Sequence, residues 1–276
     1  MWSRTEPPRS PERAEGVDVL MYHSVSDEPG PTSIPVATFT DQMTALSECG
    51  CRVVSLTELL EWGRGERSLH PRTVMITFDD GFRDFAEAAY PVLRAHGFPA
   101  TVFLPTACMG SHESWYGANR DRRSLMSWAA VQDLAREGVE FGGHSETHAD
   151  LTTLLPTDLT REIRASQDAI AERLGRPTRT FAPPYGRVNA AVLTELSKWT
   201  EVSVGTALGR VTRPFNVLDA PRIEMHYFRD PRIWRSYLSG RGEAYLRLRR
   251  AARSVRRIVS VLLEQGLPPL REGLRR

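Results

Sequence analysis

Short apolar segments alternate with helical segments along most of the chain. Each strand candidate is a short run rich in β-branched and aromatic side chains, and the strongest is Thr73–Phe78. Helix candidates show apolar positions three and four residues apart, as in Phe39, Met43 and Leu46. This alternation predicts parallel βαβ units with right-handed crossovers. Continuously apolar strands fit that architecture, because parallel strands are covered on both faces.

The elements follow one another closely enough to predict a barrel. The strand candidates are Val17–Tyr22, Arg52–Val54, Thr73–Phe78, Ala100–Leu104, Val139–Phe141, Arg179–Phe181, Glu201–Gly205 and Val217–Ala220. The helix candidates are one capped by Thr38, Ser55–Trp62, one ending at His96, one from Ser127 to Arg136, and Asp158–Leu174 with Thr157 as its cap. Seven or eight such units in about 220 residues favour a barrel over an open sheet. In a barrel the chemistry lies at the C-terminal ends of the strands.

Composition narrows the class of protein. Apolar residues make up 41% and charged residues 25% of the chain, as in soluble globular proteins. Three cysteines are an odd number, which argues against a disulfide scaffold and fits a reducing compartment. Cys49 and Cys51 could form half of a metal clip, but no second pair is present. The sequence contains neither a run of about 20 apolar residues nor an export signal, so we expect a cytoplasmic location.

The charge is uneven and suggests three segments. We expect residues 1–16 to be flexible, residues 17–235 to be the catalytic domain and residues 236–276 to be a basic helix and tail. Residues 241–276 carry ten arginines and three glutamates. The tail helix is either packed on the barrel or peripherally bound to an anionic membrane. Nearly all basic residues are arginines, and Lys198 is the only lysine. This preference reflects the base composition of the genome rather than nucleic-acid binding, so we expect no nucleic-acid partner.

Two adjacent carboxylates, Asp79 and Asp80, follow the strongest strand directly. Placing both there is unfavourable, because like charges repel and burial adds to the penalty. One of them could simply cap a helix. The alternative is a division of roles, in which one carboxylate binds a cation and the other takes a proton from water.

Other polar residues follow other predicted strands. His144 and His148 are four residues apart, and in a helical turn they would share one face and reach one metal. Pro183 and Pro184 stiffen a loop in which the next amide, that of Tyr185, could stabilise an oxyanion. His23 ends the first strand and would lie at the same barrel rim.

In this order these clusters resemble the polysaccharide deacetylases, the NodB homology domain of carbohydrate esterase family four. Thr77-Phe78-Asp79-Asp80-Gly81 is similar to the first motif of the family, and His144-Ser145-x-x-His148 to the second. The segment at Ser127-Trp128 is similar to the pocket tryptophan segment. The resemblance covers about residues 17–222 and implies an α/β fold, a deformed (β/α) barrel.

The resemblance also implies the chemistry. It implies one divalent metal, zinc, cobalt or nickel, bound by Asp80, His144 and His148. It implies that Asp79 is the base, that the Tyr185 amide binds the oxyanion, and that the substrate is an N-acetylated glycan. Substrate-binding residues would be Trp128, Pro183, Pro184 and Tyr185.

Two positions depart from the usual pattern. The arginine that orients the base is replaced by Ala182, and the late Leu-x-His motif has Glu224 before Met225-His226. Both departures resemble the poly-N-acetylglucosamine deacetylase branch, in which a Tyr-His pair at the first strand supplies the acid. Tyr22-His23 matches that pair, so we expect His23 rather than His226 to be the acid.

The sequence therefore predicts a metal-dependent carbohydrate N-deacetylase. Two alternatives stay open at this point. A metal-dependent hydrolase of cyclic amides or imides would differ only in its pocket. A degenerate glycan-binding protein is suggested by the missing arginine alone.

Overall fold

The structure is a computed structural model that describes residues 15–28, 30, 32–115 and 122–264, with side chains described as far as Val255. The strands are β1 (Val17–Tyr22), β2 (Arg52–Val53), β3 (Thr73–Phe78), β4 (Thr101–Leu104), β5 (Glu140–Gly143), β6 (Thr180–Phe181), β7 (Val202–Leu208) and β8 (Ala220–Glu224). The helices are α1 (Val36–Glu48), α2 (Leu56–Gly63), α3 (Tyr90–His96), α4 (Trp128–Arg136), α5 (Pro156–Leu174), α6 (Ala190–Trp199), α7 (Pro231–Ser236) and α8 (Glu243–Glu264). Two π-helical turns, Phe85–Ala89 and Tyr237–Arg241, precede α3 and α8.

The strands form a closed parallel barrel, which confirms the predicted fold class. Around the barrel the order is β1, β8, β7, β6, β5, β4 and β3, and β3 pairs with β1 to close it. The short strand β2 pairs with the first two residues of β3, while β4 pairs with the last two. Seven strands therefore make the barrel. All of them point the same way, so their C-terminal ends meet at one rim.

The first strand anchors the rim through an aromatic cluster beneath helix α1. Tyr22 stacks on Phe78 with ring centroids 5.2 Å apart and meets the edge of Phe39 at 5.1 Å. Its hydroxyl donates to Gln42 Oε1 at 2.8 Å. Burying each such ring contributes about 1.5–3 kcal/mol. Because successive side chains of a strand point to opposite faces, the next residue, His23, is directed away from this cluster.

Of the last two predicted strands, the first largely coincides with β7 and the second was misplaced. Strand β7 begins at Val202, one residue after the predicted start at Glu201. It ends at Leu208, three residues after the predicted end at Gly205. Strand β8 begins at Ala220, where the predicted strand ended. The segment after Ala220 contains a proline and an arginine, which are unusual inside a central strand, and the predicted strand ended before them.

Two predicted helix caps were also wrong. Helix α5 begins at Pro156, so Thr157 lies in its first turn, and the fixed φ of proline supplies the start instead. Helix α1 begins at Val36, which places Thr38 inside it. The predicted cap Ser127 is confirmed, because its side chain accepts a hydrogen bond from the Ala130 amide.

Both ends of the described chain pack against the barrel. Glu15 accepts a hydrogen bond from Trp62 Nε1 at 2.7 Å, whereas residues 1–14 of the predicted flexible segment lie outside the described residues. At the other end, Tyr237 and Leu246 are fully buried in the main core, beyond the proposed boundary at residue 235. Among the described helices, none is long and apolar enough to cross a membrane.

Candidate active site

The barrel topology collects the predicted polar residues at one rim. Asp79 and Asp80 follow β3, His23 follows β1, and His144 follows β5. Asp79, Asp80 and His144 have side chains that are at most 4% exposed, and His23 is 14% exposed. Groups more than 100 residues apart in sequence therefore form one buried cluster.

Three of these side chains form a possible metal site. The Asp80 Oδ1 atom lies 3.2 Å from His144 Nε2 and 3.1 Å from His148 Nε2. Their potential ligand atoms all lie within 4.8 Å of one another. Burial raises the pKa of Asp80, but the hydrogen bonds from the two imidazoles outweigh it and hold that pKa well below its usual range. A carboxylate and two imidazoles form a donor set that suits zinc and leaves coordination positions for water and substrate.

The second nitrogen of each imidazole has a partner. His144 Nδ1 lies 2.5 Å from the Ala182 carbonyl oxygen, to which it can only donate. This contact protonates Nδ1, so that Nε2 would be the nitrogen that offers its lone pair to a bound metal. His148 Nδ1 lies 3.3 Å from the Tyr185 hydroxyl. The residues present therefore fit a divalent metal.

The two histidines share the site for a reason other than the predicted helical turn. His144 follows the strand, and Ser145 and His148 have left-handed φ values of 65° and 63° in an irregular loop. Buried Glu162 holds this loop by accepting hydrogen bonds from the amide and hydroxyl of Thr147, at 2.8 and 2.7 Å. The spacing thus predicted the right pair of residues from the wrong local structure.

Backbone strain is concentrated around the same residues. Among the described non-glycine residues, five have positive φ, and four of them are Asp80, Ser145, His148 and Tyr185. A left-handed backbone costs such residues roughly 1–3 kcal/mol each. Strain that persists at a cluster of polar groups is typical of active sites, where it fixes side-chain direction.

A buried arginine that the sequence analysis missed orients Asp79. The Arg222 guanidinium makes two parallel hydrogen bonds to the Asp79 carboxylate, both 2.7 Å long. Burial raises the pKa of Asp79, but the charge and hydrogen bonds of Arg222 reverse this, and the pKa lies below its ordinary value. Arg222 thus supplies the charge expected at Ala182. An arginine inside strand β8 was the available signal, but the predicted strand ended at Ala220.

His23 is nearer to the base than the other candidate acid. Its Nε2 atom lies 3.9 Å from Asp79 Oδ2. His226 lies in the short helical turn after β8, and burial together with the charge of Arg229 lowers its pKa. No ion pair with Asp79 is found for His226 in the part of the chain described.

The predicted proline loop borders the metal site. Pro183 and Pro184 are buried, and Tyr185 is 44% exposed with its hydroxyl near His148. Tyr185 has a φ of 60°, and within the described residues its backbone amide has no hydrogen-bond partner. A rigid N–H beside a metal site is suited to binding an oxyanion.

The predicted pocket tryptophan, Trp128, packs on the main core, with the Arg173 guanidinium 5.6 Å from its ring. Its role in substrate binding stays a prediction. The indole that lies against the site is that of Trp115, whose ring centroid is 3.9 Å from that of His148. The sequence analysis did not single out Trp115, because nothing near it carries a periodic pattern.

Comparisons with known proteins point to one family. Residues 66–201 match the family model described as polysaccharide deacetylase. The Bacillus subtilis protein YxkH is 25% identical over 213 residues, which cover 77% of this chain and 68% of that protein. The poly-beta-1,6-N-acetyl-D-glucosamine N-deacetylase of Escherichia coli K12 is 27% identical over 219 residues, which cover 66% of this chain but only 32% of that protein.

Solved structures share the fold. IcaB from Ammonifex degensii superposes with a TM-score of 0.71 at 24% identity, covering 83% of this chain and 98% of that chain. The Streptococcus pyogenes deacetylase PplD gives a TM-score of 0.67 at 23% identity, covering 75% and 91%. Fold, site and family model agree that this is a hydrolase of the carbohydrate N-deacetylase class. Residues 66–201, just under half of the chain, match the polysaccharide deacetylase domain.

Proposed function

We propose that the barrel, with the start of α8 that completes its core, forms a metal-dependent catalytic domain that hydrolyses the N-acetyl group of an amino sugar in a glycan. The observation that carries the proposal is the adjacency of two units on one rim. The first is the possible metal site of Asp80, His144 and His148. The second is the ionised Asp79, which Arg222 holds in place. Relatives named for poly-beta-1,6-N-acetyl-D-glucosamine and chitin indicate the substrate class to be tested.

Each of the chain's own groups has a proposed role. A divalent metal, with zinc as our first choice and cobalt or nickel as alternatives, would polarise the acetyl carbonyl and acidify water. Asp79 accepts the proton of the attacking water, and the Tyr185 N–H binds the developing oxyanion. His23 protonates the departing nitrogen, because an amine leaves poorly without a proton. The products are acetate and a free amino sugar.

Arg222 also bears on the alternative of a degenerate glycan-binding protein. That alternative rested on the missing arginine at position 182. Arg222 on strand β8 makes two hydrogen bonds to Asp79, so an arginine for the base is present and this alternative loses its support. The cyclic amide alternative is checked by including a cyclic imide among the substrates tested.

Acetate release from chitooligosaccharides and poly-β-1,6-N-acetylglucosamine, with and without a chelator, tests the proposal. We expect about one divalent ion per chain and loss of activity when it is removed, with recovery on adding zinc. Activity on a cyclic imide alone, or equal activity with and without the metal, would contradict the proposed function.

Two substitutions separate the metal ligands from the base. His144→Ala should lose both metal and activity. Asp79→Asn should keep the metal and lose about 10²–10⁴-fold in turnover, since an amide cannot accept the proton. Full metal occupancy in His144→Ala would show that the ligand assignment is wrong, and wild-type turnover in Asp79→Asn would remove Asp79 from the mechanism.

We propose, second, that helix α8 can lie on an anionic membrane surface. Up to Val255 this helix carries four arginines against one glutamate, although Arg250 and Arg253 are hydrogen-bonded to the barrel. Leu248 and Val255, seven residues apart, are 66% and 60% exposed. Residues at this spacing share one helix face. An exposed apolar face beside excess positive charge suits an anionic lipid surface, where each nearby arginine adds about 1 kcal/mol of attraction. The cytoplasmic location expected from the sequence stays a prediction.

A further inference from the structure

The ring of Trp115 covers one face of a proposed metal ligand. Its centroid is 3.9 Å from that of His148, with an angle of 14° between the planes. Tyr185 meets the same imidazole edge-on, at 4.8 Å and 82°. Two aromatic side chains therefore border His148, one on its face and one at its edge. A sugar that presents its acetamido group to the metal would pass these rings.

The indole nitrogen of Trp115 is buried and has no hydrogen-bond partner among the described residues. Buried polar groups nearly always have a partner, because leaving one unpaired costs about 1–3 kcal/mol. An indole N–H is a donor only, so its missing partner must be an acceptor. Its ring lies against His148, so the donor belongs to a side chain that borders the possible metal site.

An ion pair holds the segment that carries Trp115. Glu113 and Arg123 form a bidentate pair with distances of 2.7 and 2.8 Å, and their side chains are 5% and 13% exposed. The Glu113 amide also donates to the Arg123 carbonyl at 2.9 Å, so the two backbones are joined as well. Such a pair, largely removed from water, fixes the geometry of its segment.

The same segment is attached to the turn that bears the carboxylates. The Met126 amide donates to the Gly81 carbonyl at 2.9 Å, directly after Asp80. The Arg123 guanidinium lies 3.9 Å from the centre of the Phe82 ring. Trp115 is therefore positioned relative to Asp79 and Asp80 by short contacts.

From this geometry we propose that Trp115 binds the substrate. Its indole N–H donates a hydrogen bond to an acceptor oxygen of the sugar that carries the acetamido group, and its ring forms a wall of the binding site against His148. Glu113 and Arg123 are positioning residues for that indole. The inference rests on the proposed function and assigns the sugar-binding side of the site.

The decisive experiment measures glycan binding in the inactive Asp79→Asn background. Calorimetry with N-acetylglucosamine oligomers would compare that protein with the same protein carrying Trp115→Phe. Phenylalanine keeps the ring and removes the donor. We expect about tenfold weaker binding with zinc content unchanged, which corresponds to the loss of one hydrogen bond. Trp199→Phe, at the end of α6 that leads into β7, removes an indole N–H that donates to Glu195 Oε1 at 2.8 Å. It is the matched control and should change the Kd by less than about twofold.

Two results would overturn the proposal. One is a Kd within about twofold of the parent for Trp115→Phe, which would leave the ring a packing role only. The other is absence of any oligomer binding by Asp79→Asn. Acetate release by the wild-type enzyme then decides the proposed function separately, so the two failures are distinguishable.

The positioning pair has its own readout in the active enzyme. Arg123→Gln should raise KM about tenfold and leave kcat and metal content nearly unchanged, because the indole, and not the metal site, loses its support. Arg123→Lys keeps a charge opposite Glu113 and should recover part of the KM. A fall in kcat with KM unchanged, or no difference between the two variants, would contradict the positioning role.

Discussion

Burial and the Arg222 guanidinium have opposite effects on the pKa of the Asp79 carboxylate, and the effect of Arg222 is the larger. Burial alone would keep the group neutral, and a neutral carboxyl cannot accept a proton. The Arg222 guanidinium, with two bonds of 2.7 Å, keeps the group ionised inside the barrel. The pair also points the carboxylate in a fixed direction. At this scale, stability and the proposed catalysis depend on the same contact.

Removing Arg222 should therefore affect both properties. Arg222→Gln leaves a buried charge without its partner, which typically costs about 3–5 kcal/mol of unfolding free energy. Arg222→Lys keeps the charge but cannot form two parallel bonds, so it should lose less stability while still losing turnover. Urea denaturation and acetate release measure the two effects. Equal stability of the glutamine variant and the wild type would contradict the assigned ion pair.

The two candidate acids can be separated by their pH dependence. His23 lies 3.9 Å from Asp79 and has a side chain that is 14% exposed. His23→Ala should lower turnover and remove the basic limb of the pH–rate profile, with the metal retained. His226→Ala is the matched variant and should do much less. The opposite result would make His226 the acid.

Among the elements, the proline loop depends on contact with a neighbouring strand. Gly186 has a φ of 63°, and a Cβ atom there would lie 2.1 Å from Thr206 Oγ1 in β7. An alanine would have to displace either the strand or Tyr185. Gly175 has a φ of 68° at the end of α5, with nothing within 4 Å of such a Cβ, so it offers a control for backbone strain alone.

We expect Gly175→Ala to cost about 1 kcal/mol, the usual penalty for a left-handed alanine. Gly186→Ala should cost about 1–3 kcal/mol more, since it adds a steric overlap to the same penalty. It should also lower turnover by moving the Tyr185 amide. Thermal or urea unfolding of both variants measures the difference. Equal losses would show that the loop adapts and that the contact with Thr206 is not restrictive.

The elements also show what the sequence could and could not predict. The strand–helix alternation depends on local patterns, and it was sufficient for the barrel and for Asp79, Asp80, His144 and His148. The role of Arg222 was not predicted, because its neighbours in sequence do not indicate a strand. Its partner, Asp79, is 143 residues away and becomes adjacent only when the barrel closes. The contact of Trp115 with His148 was not predicted either, because Trp115 lies in a loop without a periodic pattern.

At the scale of the whole molecule, helix α8 places two of its arginines against the barrel. Arg250 and Arg253 donate to the carbonyl oxygens of Leu208 and Thr206 at 2.6 and 3.0 Å, so these arginines face the barrel. Leu246 is fully buried. The helix is therefore packed on the barrel at its first turns, beside the rim that bears the site. Truncation after Tyr237 would expose core residues, and point substitutions are better tests of its outer face.

Leu248→Gln and Val255→Gln, combined, should weaken binding to vesicles that contain anionic lipid. The exposed apolar area would be lost, while the exposed Arg247 beside it would be kept. Because both side chains are more than half exposed, unfolding free energy should change by less than about 0.5 kcal/mol. Cosedimentation with phosphatidylglycerol vesicles at low salt measures the effect, and neutral vesicles are the control. Failure of the wild-type protein to cosediment with anionic vesicles would contradict the membrane proposal. Acetate release from short soluble oligomers should be equal in the variant and the wild type, because neither leucine nor valine contacts the rim residues assigned to the chemistry.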